Sequence, residues 1–257
     1  MTVPDPPALP DELQRLLRRM RLPYLRRVAA EVCATARAQR WDPTEVLRVL
    51  LLEEVRGRDN ATQEMRKRAA GFPAGKTLES WGEERSSIPP ATQRALMTLE
   101  WISRAENLVV CGPSGTGKSH LCEALGRAAV EAGLRVAWFS LESLTNTIAR
   151  AKVDASVGKV VARICRADLI SIDDIGLLPA GQEAAEAFYR VVDAAYEKRS
   201  LAITSNLHPA GFDTIMPKSL ATATVDRILH HAHLVLTEGP SQRLADATAG
   251  KGVVPLV

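Results

Sequence analysis

The chain has 257 residues, 46% of them hydrophobic and 25% charged, with a formal net charge of +3. These proportions are those of a soluble globular protein of one or two domains. No apolar run approaches the ~18–20 residues that a membrane helix needs, so no membrane partner is expected.

Residues 1–10, MTVPDPPALP, hold four prolines and read as a disordered lead-in. Their acidic, proline-rich character is unlike a secretory signal. Cys33, Cys111, Cys122 and Cys165 show no CxxC spacing and are expected to be reduced core residues in a cytoplasmic protein. Asp11 is placed to cap a first helix in which Leu13, Leu16, Leu17 and Met20 recur at i, i+3, i+4, i+7. Pro23 interrupts that pattern. A second helix then runs to about Arg40, with Leu25, Val28, Ala29, Val32 and Ala36 expected inside. Asp42-Pro43-Thr44-Glu45 combines a cap, a proline at the first helical position and an acid at the third. It opens a third helix with Val46, Leu47, Val49, Leu50 and Val55 expected to face inward. A fourth, from about Asp59 to Ala70, carries Arg66-Lys67-Arg68 and stops at Gly71. Residues 11–72 thus read as a helical domain of four short helices.

Charge within that domain is uneven. Residues 13–40 contain eight arginines and one acid, Glu31. Arginine is a good helix former, and such a run can be no more than a solvated face. A surface built only for solubility mixes its signs, however. Basic charge gathered on one small module is the electrostatic footprint of nucleic-acid binding. Arg15, Arg18, Arg19, Arg21, Arg26 and Arg27 are therefore the candidate contacts to duplex DNA, through phosphates and without base readout.

Residues 73–90 read as a linker. Trp81 within it is expected to pack on the second domain, a position beside a nucleotide base being the alternative. Residues 91–246 then alternate helix and strand. A helix over Ala91–Ser103 precedes the strand Asn107–Cys111, and Gly112-Pro113-Ser114-Gly115-Thr116-Gly117-Lys118-Ser119 leads into a helix closed by Gly133. Further strands are expected at Arg135–Phe139, Leu169–Asp174, Leu201–Thr204 and His233–Thr237. The intervening helices are expected at about 141–150, 157–166, 182–198 and 220–231. Such alternation implies an α/β fold, a parallel sheet covered by helices on both faces. Residues 247–257 read as a loose tail.

The glycine-rich segment matches the phosphate-loop pattern GxxxxGK[ST] at every fixed position, between a strand and a helix. Its glycines allow close backbone approach, and its amides with the helix N-terminus form an anion nest. Residues Gly112 to His120 are accordingly the candidate cradle for a nucleoside triphosphate. Lys118 would neutralise charge between the β- and γ-phosphates, and Ser119 would offer its hydroxyl to Mg2+. Ligands of open parallel sheets sit at the carboxyl ends of the strands. Asp173 and Asp174 end one strand there, Asp173 as a holder of Mg2+ through the ion's bound water and Asp174 as the group that orients or deprotonates water. Asn206 ends another and is placed to hold water or sense the γ-phosphate. Arg227 is either an arginine presented to a neighbouring subunit or half of a local Asp226–Arg227 pair. Arg243 is a weaker candidate for nucleotide sensing. His230, His231 and His233 have no Cys or acid partner at ligand spacing, so no metal site is read there.

LVVCGPSGTGKSHL, LISIDDIGLLP, LAITSNL and DRILHHAH, in this order, resemble the IstB-like transposition-helper ATPases of the AAA+ superfamily, relatives of DnaC-type helicase loaders. RMRLPYLRRVAAE and KRAAGFPAGKTLE resemble them too, so the likeness runs from about residue 13 to Leu244. It implies a P-loop AAA+ core and an ATPase that self-assembles on duplex DNA and supports an integrase-type transposase. By that resemblance Lys118, Ser119, Asp173, Asp174 and Asn206 bind or hydrolyse ATP, and Arg227 matches the family's candidate finger. A helicase loader and a DNA-binding scaffold with little turnover are the alternatives. This chain departs from the family pattern at Asp174, where Glu is frequent. It also lacks the usual aromatic after Ser205-Asn206, reading LHPAGFDTIMPKS up to Leu220.

Overall fold

A computed structural model describes residues 7–73, 75–176 and 181–249. The chain divides after Met65 into two compact units. In the first, α1 (Asp11–Arg19) and α2 (Pro23–Gln39) are followed by α3, which runs unbroken over Pro43–Ala70. The expected third and fourth helices are therefore one. Gly57, between the two expected segments, lies against the Tyr24 ring, where a Cβ would collide with it. One helical turn earlier, buried Glu54 accepts the amides of Tyr24 and Leu25 at 3.0 and 2.9 Å and the Arg58 guanidinium at 2.7 Å. It thus supplies α2 with the N-terminal cap its own sequence lacks. Burial works to raise the Glu54 carboxyl, but these partners hold it below its ordinary value. Leu17, Leu25 and Ala29 form the small core, with Leu50 packed on it. Leu47 and Val55, expected inside, are exposed; the contacts of α3 with this core and with α2 come from Leu50, Glu54 and Gly57. Asp11 is the first helical residue rather than the cap, which is Pro10. Asp42 does cap, accepting the Thr44 amide at 2.8 Å.

The second unit is an α/β sandwich. Its sheet holds β1 (Asn107–Cys111), β2 (Val136–Ser140), β3 (Leu169–Ile175), β4 (Ser200–Ser205) and β5 (Ala232–Leu236) in the order β2-β3-β4-β1-β5. Every pairing is parallel. Alternate residues serve opposite faces, as the pleat requires. Val109, Ile170, Ile172 and Ile203 pack with α7 (Leu141–Val153), α8 (Val157–Ile164), α9 (Gln182–Ala195) and α10 (Lys218–Leu229). Leu108, Val110, Leu169 and Ala202 pack with α4 (Pro90–Met97), α5 (Glu100–Ser103) and α6 (Lys118–Glu131). The expected single helix over 91–103 is two, parted at Leu99, whose φ of 59° no helix sustains.

The stretch read as a linker is packed into this unit. Ile88 is fully buried, and the Trp81 indole donates to buried Gln93 Oε1 at 2.6 Å. Gln93 in turn donates to the carbonyls of Glu83 and Ile88. A last helix, α11 (Gln242–Thr248), extends into the expected tail. Residues 1–6 of the lead-in, Leu177 to Pro179 of the LISIDDIGLLP motif and 250–257 of the tail lie outside the described residues. Cys111 and Cys122 are free and buried, and burial raises both thiols, Cys111 to about 11. No helix among the described residues is long and apolar enough to cross a membrane.

Candidate nucleotide site

The loop between β1 and α6 has the backbone its glycines predict. Gly112, Gly115 and Gly117 take φ of 148°, 85° and 93°. At two of them the missing side chain is also a missing obstacle. A Cβ on Gly112 would strike the Thr237 carbonyl, and one on Gly115 would strike Ser241. The segment after β5 is therefore pressed onto the loop. It is fastened by Thr116 Oγ1 against Thr237 Oγ1 at 2.7 Å and by the Gln242 amide donating to the Gly115 carbonyl at 2.9 Å. Gln242 and Asp246 also hold Arg85, through its carbonyl at 2.8 Å and its guanidinium at 2.8 Å. Trp81 closes on Gly117 from the same side and meets the His120 ring edge-on at 5.2 Å.

A cavity of about 390 Å3 opens over this loop, lined among others by Lys118, Ser119, His120, Asp173, Asp174 and Arg243. A larger groove of about 710 Å3, lined by α8 and α9 residues such as Val161 and Tyr189, contains none of the phosphate-loop residues. Lys118 Nζ donates to the Pro113 carbonyl at 2.7 Å and to Asn206 Oδ1 at 2.9 Å. Burial lowers its ammonium from the ordinary value, against the pull of Asp173 and Asp174. Ser119 Oγ donates to Asp173 Oδ1 at 2.8 Å, so the two expected Mg2+ holders already meet. A hydroxyl beside a carboxylate is an all-oxygen donor set, which suits that hard cation.

Consecutive strand residues ordinarily point to opposite faces, yet Asp173 and Asp174 both line the cavity. A bulge solves this. The β3–β4 register passes from Ile172↔Ile203 to Ile175↔Ser205, leaving an extra residue in β3, and Asp174 adopts φ 64°. Asp tolerates that left-handed conformation better than most side chains. Thr204 then serves both acids: its buried hydroxyl donates to Asp173 Oδ1 and accepts the Asp174 amide at 3.1 Å. Burial, and then the neighbouring Asp173 charge, push the Asp174 carboxyl up, while Arg243 and Lys118 oppose the rise.

Of the sequence candidates, Lys118, Ser119, His120, Asp173 and Asp174 share the cavity, and Asn206 joins them through Lys118. Arg243, read as a weaker candidate, lines it as well. Arg227 does not. It pairs with Asp193 at 3.0 Å rather than with Asp226, and lies over the Tyr189 and Tyr196 rings at 5.4 and 6.0 Å. Thr204, Lys76, Glu123 and Gln242 were missed. Only Thr204 carried a signal, as a hydroxyl two residues before the Asn206 strand end. In the first unit Arg15, Arg18, Arg19, Arg21, Arg26 and Arg27 are all exposed. Arg27 lies 5.9 Å from the Tyr24 ring, and the Arg21 carbonyl accepts from Arg58.

Comparison with known proteins agrees with this geometry. The family model described as IstB-like ATP binding protein matches residues 15–249. A Pseudomonas aeruginosa protein named for insertion sequence IS21 and for ATP binding is 34% identical over 91% of this chain and 89% of its own length. A Bacteroides fragilis protein of similar name is 30% identical over 91% of this chain and 89% of its own. Among solved structures, AMPPCP-bound DnaA from Aquifex aeolicus superposes with a TM-score of 0.53 at 20% identity, covering 72% of this chain and 58% of that one. The DnaC helicase loader superposes at 0.52 and 17% identity, over 63% of this chain and 97% of its own. These structural likenesses establish the P-loop AAA+ fold.

Proposed function

Because the chain belongs to the family of IstB-like ATP-binding proteins, we propose that it is a Mg2+-dependent AAA+ ATPase that assembles on duplex DNA and assists a transposase. The observation that carries this reading is the convergence of Lys118, Ser119, Asp173 and Asp174 on one cavity over a phosphate loop, with Asn206 bonded to Lys118. Lys118 exchanges its contacts with Pro113 and Asn206 for phosphate oxygens. Ser119 and Asp173 hold Mg2+, which when bound neutralises phosphate charge. Asp174 accepts a proton from the attacking water, and its raised carboxyl makes it the stronger base for that task. Asn206 orients that water beside Lys118. Arg243 senses the nucleotide within its own subunit, whereas Arg227, outside that cavity, acts on the site of a neighbouring copy.

The six exposed arginines of α1, α2 and their turn grip DNA phosphates in this account. The insertion-sequence names of the relatives support a transposase as partner over a replicative helicase. A switch with little turnover is the second reading, favoured by Asp174, whose carboxylate reaches less far than the more frequent Glu. The test is to image the full chain on duplex DNA with ATP and then add an integrase-type transposase. ATP-dependent assemblies that recruit the transposase are expected. Failure to assemble with ATP, or to recruit, contradicts the proposal.

A further inference from the structure

The adjacent histidines His230 and His231 lacked an acid partner in the sequence, but the fold supplies one. His230 is the C-cap of α10 and His231 follows it. Glu197 lies just beyond the end of α9, one residue after its C-cap Tyr196. One ring nitrogen of each histidine and a Glu197 carboxylate oxygen lie within 4.8 Å of one another. The two imidazole rings are 4.1 Å apart between centroids. The Tyr196 hydroxyl meets His230 Nδ1 at 2.9 Å and fixes that ring. Glu197 takes φ 56°, an uncommon conformation for a residue of its kind, and it does so where its carboxylate reaches His230 at 3.7 Å.

We propose that Glu197, His230 and His231 form a binding site for a borderline divalent transition cation, Zn2+ foremost. Two imidazoles and a carboxylate are a recurrent zinc ligand set, with a fourth position left to water. All three residues are exposed, so the cation has direct access and room for that water. Imidazole also discriminates against Mg2+, which takes oxygen ligands, so this site and the Ser119–Asp173 pair select different ions. A cation here ties the end of α9 to the end of α10. These are the two helices between which Arg227 is held by Asp193, Tyr189 and Tyr196.

The test uses the full chain without a histidine tag, free of nucleotide and in excess Mg2+ to fill oxygen-only sites. Zn2+ is titrated calorimetrically, and Co2+ is titrated as a probe whose visible absorption reports nitrogen and oxygen ligation. One equivalent should bind and raise the thermal unfolding midpoint. His231→Ala and the conservative, exposed Glu197→Gln should each abolish that shift. His208→Ala and His233→Ala, which change the other exposed histidines, should bind as the parent does. No binding by the parent overturns the assignment, as does binding that Glu197→Gln and His231→Ala leave intact.

Discussion

Replacing Thr204 by Val keeps the side chain's shape and removes only its hydroxyl. Thr204 is 2% exposed, so water is poorly placed to substitute for what is lost. The deleted atom donates to Asp173 Oδ1 and accepts the Asp174 amide. A hydrogen bond to a charged group contributes about 1.5–3 kcal/mol, and an amide left short of its acceptor costs about 1 kcal/mol or more. The substitution should therefore destabilise the second unit by about 3 kcal/mol and release both carboxylates from the bulge. Thr204→Ser retains the hydroxyl and loses one methyl, a change of about 1 kcal/mol. The assay pairs urea unfolding with steady-state ATP hydrolysis. Val should lower kcat far more than it raises KM, and Ser should restore most of kcat. Equal kcat for the two variants would refute the role given to the hydroxyl.

Reversing Arg15, Arg18 and Arg19 to Glu should weaken duplex binding and flatten its logarithmic salt dependence by about 2.7, three phosphate contacts at about 0.9 each; an unchanged slope would mean the face is only solvated. Arg227→Ala should lower hydrolysis while sparing ATP binding, and Asp193→Asn, which removes the partner of Arg227 but not its charge, should retain hydrolysis. Equal loss in both would reduce Arg227 to a packing residue. Asp174 must be ionised to accept a proton, so hydrolysis should fall with acid across a pKa above the ordinary aspartate value. Arg243 opposes that rise, so Arg243→Gln should move the acid limb to still higher pH, seen in the pH dependence of kcat/KM. A limb that stays in place would separate Arg243 from Asp174.

The phosphate loop, the strand-end acids and Asn206 were legible because each is written in contiguous residues: a spacing, an apolar run and the polar residue that ends it. What the sequence concealed depends on contacts between distant segments. The role of Gly57 was hidden because its reason for being glycine, the Tyr24 ring, lies 33 positions away. Residues 73–90 looked like a linker because Trp81 finds its acceptor, Gln93, only once the turn between them has folded. The Asp173–Asp174 pair could be placed at a strand end but not aimed, since the bulge that turns both toward one cavity is a property of the β3–β4 register. Glu197 stood 33 residues before His230 and had no sequence relation to it.

The central claim is that ATP held at the phosphate loop drives assembly on DNA and is then hydrolysed. The most direct measurement is ATP turnover by the full chain with and without duplex DNA, with light scattering recorded on the same samples, for the parent and for Lys118→Ala. The account predicts DNA-stimulated turnover and ATP-dependent assembly in the parent, and neither in the variant. Undiminished assembly by Lys118→Ala, or turnover that DNA leaves unchanged, would contradict it.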